Sequence, residues 1–125
     1  MTTNQTAYIE ALNMAAGWAM GWLHTPKNFS SVWFDSVSGE IYSDWDPTHD
    51  DEHLGMVLAK VMSGNKAYRL ILENRHSIEK PAWLATIYGP HLKVACECGD
   101  GSWRVALVKA LVVASGGELP EEVKA

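Results

Sequence analysis

Three groups of residues in this chain carry side chains that can do chemistry. The first is His49-Asp50-Asp51-Glu52-His53, an H-x-x-E-H spacing. On a helix, histidines at i and i+4 share a face and can hold a zinc ion, with Glu52 as a general base. The same three acids are, however, what a helix start requires. The macrodipole favours negative charge in the first turn, and Thr48 with Asp51 forms a capping box in which Asp replaces Glu. No third ligand is evident, so no metal is expected here. The second group is Cys96-x-Cys98, two thiols on one face of a strand. Without a matching second pair they read as small buried apolar residues rather than as a structural zinc site.

The third group is Gly99-Asp100-Gly101-Ser102-Trp103-Arg104. Free amides at a helix start, a hydroxyl and a guanidinium make an anion cradle, glycine allows a phosphate close approach, and Trp103 offers a stacking surface. The plainer reading is a strand-to-helix turn capped by Ser102, with Trp103 in the core. No nucleophile elbow, phosphate-binding loop or dinucleotide fingerprint occurs. Enzymatic activity finds no support in these residues, and no catalytic residue or cofactor is expected.

The elements that position these groups follow from periodicity. A helix is expected over 4–20, with Tyr8, Ile9, Leu12, Ala16 and Ala19 on one face. Gly17 and Gly21 flank Trp18, and close packing against another element is one reason to tolerate glycine there. Residues 24–31 read as a loop carrying Phe29. A hairpin follows, with Val32-Trp33-Phe34 and Ile41-Tyr42-Ser43 joined by a turn at Ser36–Gly39. A second helix carries the apolar stripe Leu54, Val57, Leu58, Val61 and Met62, and Gly64 ends it. Strands are expected at about 66–74, 82–88 and 91–98. The turn at Gly89-Pro90 is too short for a parallel crossover. The last helix, 103–115, is apolar almost all round, which suggests that it buries more than one side.

The chain has 125 residues, 47% hydrophobic and 20% charged, as in a single globular domain over 1–117 followed by an acidic tail at 118–125. Its net charge of −5 argues against a nucleic-acid partner. Seven acids and no Lys or Arg lie between 35 and 53, whereas six bases lie between 60 and 93. Neither a signal peptide nor a membrane-spanning run is visible, so a cytoplasmic location with reduced cysteines is expected. The fold class is α+β, an antiparallel sheet with helices on both faces in the order αββαβββα.

Four tryptophan-marked segments punctuate that order: Met20-Gly21-Trp22, Trp45-Asp46-Pro47-Thr48-His49-Asp50, Pro81-Ala82-Trp83-Leu84-Ala85, and the Gly-Asp-Gly turn leading into the helix that starts at Trp103. Together they resemble a family of small phage and prophage α/β/α sandwich domains over about residues 10–117. This chain departs from the family in carrying His53 and Gly55 where a small apolar residue is common. The resemblance implies a small phage protein acting in the cytoplasm of an infected or lysogenic bacterium. It fits a non-enzymatic host-defence antagonist that sequesters an anionic, nucleotide-derived immune signal, with Trp45, Lys66, Arg69, Ser102 and Arg104 as contacts. The alternative is a structural or regulatory homo-oligomer without a small ligand. In that case Val105, Val108 and Val112, which widen the apolar surface of the last helix, form the interface.

Overall fold

A computed structural model describes residues 3–27, 30–63, 69–76, 81–89 and 94–121. Three helices and two three-stranded antiparallel sheets alternate along the chain. Helix α1 (Thr3–Ala19) precedes strands β1 (Leu23–Lys27), β2 (Ser30–Phe34) and β3 (Ile41–Tyr42). Helix α2 (Asp51–Met62) leads to β4 (Arg69–His76), β5 (Pro81–Tyr88) and β6 (Val94–Asp100), and α3 (Trp103–Ala114) follows. The fold is α+β as expected, but the described strands form two sheets rather than the single sheet expected, and their order holds one strand more than the sequence pattern suggested. Residues Leu23–Lys27, read as loop, pair with β2 from Leu23↔Phe34 to Lys27↔Ser30. Pro26 is tolerated because β1 is an edge strand, where a missing amide donor need not break a ladder. Phe29 and the helix stop at Gly64 lie outside the described residues.

The β4–β5–β6 meander is antiparallel throughout, with β5 central. Pleating sends Leu70, Leu72, Trp83, Ala85, Ile87, Cys96 and Cys98 into the core. A register shift at Ile87/Tyr88 interrupts the alternation expected of β6 through Val94. Cys96 is buried, and its Sγ lies 3.2 Å from the Ala110 carbonyl, to which the thiol donates. Burial pushes this thiol up to about 11, so it behaves as the small apolar residue its position suggested.

Helix α3 lies on β5 and β6 and is also contacted by α1 and α2. Every residue from Val105 to Val112 is buried, and eight residues exceed two turns, so the helix is covered all round. This corrects the interface expectation. Val105, Val108 and Val112 are 7%, 0% and 0% exposed within a single chain, so their apolar surface needs no second copy. Even Lys109 is inside, with Nζ 3.1 Å from Asp100 Oδ2, 3.3 Å from the Gly99 carbonyl and over the Tyr8 ring.

Helix α2 buries Leu54, Val57 and Val61, with Leu58 and Met62 at the margin of the stripe. Its cap is not Thr48. Asp50 occupies the N-cap and accepts from the amides of Glu52 and His53, because the Thr48 side chain is engaged elsewhere.

The first sheet packs by rings. His24, Trp33 and Tyr42 stand opposite one another on adjacent strands, and Trp33 is 2% exposed. Gly17 admits that ring, since a Cβ there would come within 2.6 Å of Trp33 Cε2 and Cη2. Trp22 stacks on Tyr42 at 4.5 Å and meets Trp45 edge-on at 4.7 Å, and Trp45 in turn lies 4.9 Å from the His53 ring.

Candidate functional site

The connection from β3 to α2 is fastened to α1 at Asn13. Asn13 Nδ2 donates to Asp46 Oδ1 at 2.8 Å and to Thr48 Oγ1 at 3.2 Å, while Asn13 Oδ1 accepts from the Thr48 amide at 3.2 Å. The Thr48 hydroxyl donates onward to Asp46 Oδ1 at 2.8 Å, and Trp45 Nε1 donates to the Asn13 carbonyl at 3.0 Å. Asn13 and Thr48 are buried, so pairing each polar group within this network avoids the cost of unsatisfied donors and acceptors.

Both histidines of the H-x-x-E-H segment turn toward Asp46. His49 Nδ1 lies 3.0 Å from Asp46 Oδ2 and donates to it, a carboxylate being able only to accept. His53 Nδ1 accepts the Asp46 amide at 3.0 Å, which places the neutral ring's proton on Nε2. Since Asp50 is the cap, His49 lies outside α2, and the helix-face geometry that the spacing suggested does not form. Among the described residues no group of three or more His, Cys, Asp or Glu is placed to hold a metal ion. Burial pushes the Asp46 carboxyl upward, but hydrogen bonds from His49, Thr48 and Asn13 outweigh it and hold the group below its ordinary value.

This fastening leaves an open cleft of about 840 Å³ between α1 and the β3–α2 connection. Met14 and the edges of the buried Trp33 and Trp45 supply its apolar lining, Glu10, Asp44 and Asp46 supply carboxylates, and no Lys or Arg is among the described lining residues. Its size falls within the roughly 300–1,000 Å³ of small-molecule sites.

The four described contacts of the five expected from sequence are not gathered there. Trp45 lines the cleft. Arg104 pairs with Asp51 and lies 4.6 Å over the Trp103 ring. Asp51 and His53 are two residues apart, about 200° around the helix, so Arg104 and Trp45 meet opposite sides of the first turn of α2. Arg69 stands opposite Tyr88 on β4, alternating with core-facing Leu70, and its pleat points away from α3. Lys66 lies outside the described residues.

The Gly-Asp-Gly turn already contains an anion. Asp100 Oδ1 accepts the Ser102 amide at 3.0 Å, and Oδ2 pairs with Lys109. Ser102 caps α3 by accepting the Val105 amide at 3.4 Å. Arg104 Nη1 has no hydrogen-bond partner among the described residues, but Asp51 already neutralises the guanidinium. The plainer reading of this turn therefore accounts for its groups, except that Trp103 stays 36% exposed.

Asn13, Glu10 and Asp44 were not singled out in sequence. Glu10 and Asn13 are three apart and share a helix face, a signal that becomes readable only once that face is known to meet residues 43–48. Comparison with known protein families, with curated proteins and with solved structures finds no match to this chain.

Proposed function

We propose that this domain is a small non-enzymatic binding protein whose ligand occupies the cleft between α1 and the β3–α2 connection. The observation that carries the reading is the cleft itself, which gathers Glu10 of α1 with Asp44 and Asp46 of a connection fixed by Asn13, over an apolar lining of Met14 and the edges of the buried Trp33 and Trp45. Carboxylates with no Lys or Arg among the described lining residues favour an amine or another hydrogen-bond donor over a phosphate. A nucleotide-derived immune signal remains within this reading by way of its base, with its phosphates directed out of the cleft. The phage α/β/α resemblance, the anti-defence role and the cytoplasmic setting belong to the same proposal, supported by the order of the tryptophan-marked segments.

The test is a thermal-shift panel of nucleosides, polyamines, cyclic nucleotides and ADP-ribose derivatives, followed by titration of tryptophan fluorescence. An amine-bearing ligand at a hundredfold excess over its Kd should add about 2.7 kcal/mol of stability. Glu10→Gln with Asp44→Asn should weaken it roughly tenfold. A panel without any shift, or a ligand whose affinity survives both substitutions, would remove the cleft from consideration.

A further inference from the structure

His53 sits between two partners and bonds only one of them at a time. Its ring packs on Trp45, and its Nδ1 lies 3.0 Å from the Asp46 amide nitrogen and 3.8 Å from Asp50 Oδ2. A neutral imidazole with its proton on Nε2 accepts at Nδ1 and so takes the Asp46 amide. An imidazolium carries a hydrogen on both nitrogens and accepts nothing, so it must give up that amide and donate instead. Asp50 Oδ2 stands ready to receive it, because Asp50 caps α2 through Oδ1.

His49 responds differently to the same proton. Its Nδ1 already donates to Asp46 Oδ2 at 3.0 Å, so a second ring proton leaves that bond in place. Asn13 and Thr48 also hold the Asp46 carboxylate, and neither titrates. Acid thus removes the anchor of the connection to α2 and spares its anchor to α1. The charged groups around the ring are Asp50 and the neighbouring Glu52 on α2, Asp46 and His49 on the connection, and Glu10 of α1 across the cleft. Asp51 is turned to Arg104 of α3. Imidazole changes charge between about pH 5 and 8. The Asp46 carboxyl is held below its ordinary value, and Glu40 pushes the Tyr42 hydroxyl of β3 up to about 12, so neither changes charge in that span.

We infer that His53 is a proton-operated latch on the β3–α2 connection: neutral, it holds the Asp46 amide against α2, and charged, it releases that amide and pairs with Asp50. Trp45 and Asp46 both line the cleft, so the latch governs how firmly that side of it is held. The latch works through bonds within the chain and requires no ligand in the cleft.

Nuclear magnetic resonance on the whole chain tests it. The His53 nitrogen shifts should show a bare, hydrogen-bonded Nδ1 at about pH 8 and protons on both nitrogens at about pH 5. Exchange of the Asp46 amide, corrected for its intrinsic rate and compared with the Val57 amide inside α2, should lose roughly fivefold or more of its protection over that span. His49→Asn, whose amide donates without titrating, should keep the loss. Asp50→Ser, which keeps a cap but lacks the second oxygen, should move the loss to more acid pH. His53→Asn, whose oxygen can accept in place of Nδ1 and takes up no proton, should abolish it. Constant protection in wild type, a ring still neutral at about pH 5, or a loss that vanishes in His49→Asn would each overturn the proposal. So would a loss unmoved in Asp50→Ser or one that persists in folded His53→Asn. Should His53→Asn fail to fold, the wild-type, His49→Asn and Asp50→Ser measurements decide alone.

Discussion

The β4–β6 meander and the β1–β3 sheet bury their inner faces by different means. The meander offers mostly aliphatic and small side chains, Leu70, Leu72, Ala85, Ile87 and Cys96, to an equally aliphatic α3. The first sheet offers Trp33 and Tyr42 to a cluster of rings that also includes Trp22 and Trp45. Aliphatic packing is non-directional and adds up through area, so it tolerates volume-conserving exchange. Ring packing depends on approach geometry, and here on the absence of one Cβ at Gly17. The aliphatic half thus supplies the hub, and the aromatic half supplies the shape on which the cleft rests.

The largest expected effect breaks the hub. Val108→Lys with Val112→Lys places two charges where both valines are fully buried. An unpaired buried charge costs several kcal/mol, and a domain holds only about 5–15 kcal/mol in all. Helical circular dichroism should be lost, and a folded monomer would show that α3 is not central. A smaller effect isolates the aromatic half. Gly17→Ala should cost about 1–3 kcal/mol in urea denaturation through overpacking against Trp33. If the clash is the cause, combining it with Trp33→Leu should cost less than the sum of the two single changes. Strict additivity would mean that ring and glycine are uncoupled.

The smallest effect concerns the fastening between the halves. Asp46→Asn should cost about 1 kcal/mol, modest because the Asp46 side chain is 38% exposed and solvent screens it. The sign follows from the lowered folded-state pKa of Asp46. The stabilisation is complete above the unfolded value of 3.8 and is lost as pH falls through the lower folded one. Melting curves should show a constant advantage of wild type over variant at pH 5–7 that closes in strong acid. An advantage that instead grows as pH falls would contradict the hydrogen-bonding account.

Much of the aliphatic half was legible in the sequence. The short turn at Gly89-Pro90 implied an antiparallel meander, as observed for β5 and β6, and the breadth of the apolar surface on α3 implied burial on more than one side. What covers it was not legible, because α1 and α2 lie far away in the chain, and the three valines were read as an interface. In the aromatic half β1 was missed, since Leu-His-Thr-Pro-Lys has little β-branched character and is held by pairing with β2. Thr48 and Asp50 are both able to cap a helix. Asn13, 35 residues away from Thr48, decides between them, and no local pattern reports such a contact. Gly17 was readable as a site of close packing, though not its partner. The cleft escaped for the same reason as the cap, because its walls come from two segments joined by Asn13.

The central position of α3 sets an order of events during synthesis. Every element that contacts this helix leaves the ribosome before it does, so neither α1 nor α2 finds its principal helical neighbour until Trp103–Ala114 has emerged. Until then the apolar faces of the meander and of both earlier helices stay open to water and to one another, the condition under which nascent chains become clients of chaperones. Closure of the core against α1 and α2 is thus a late step that joins segments far apart in the chain.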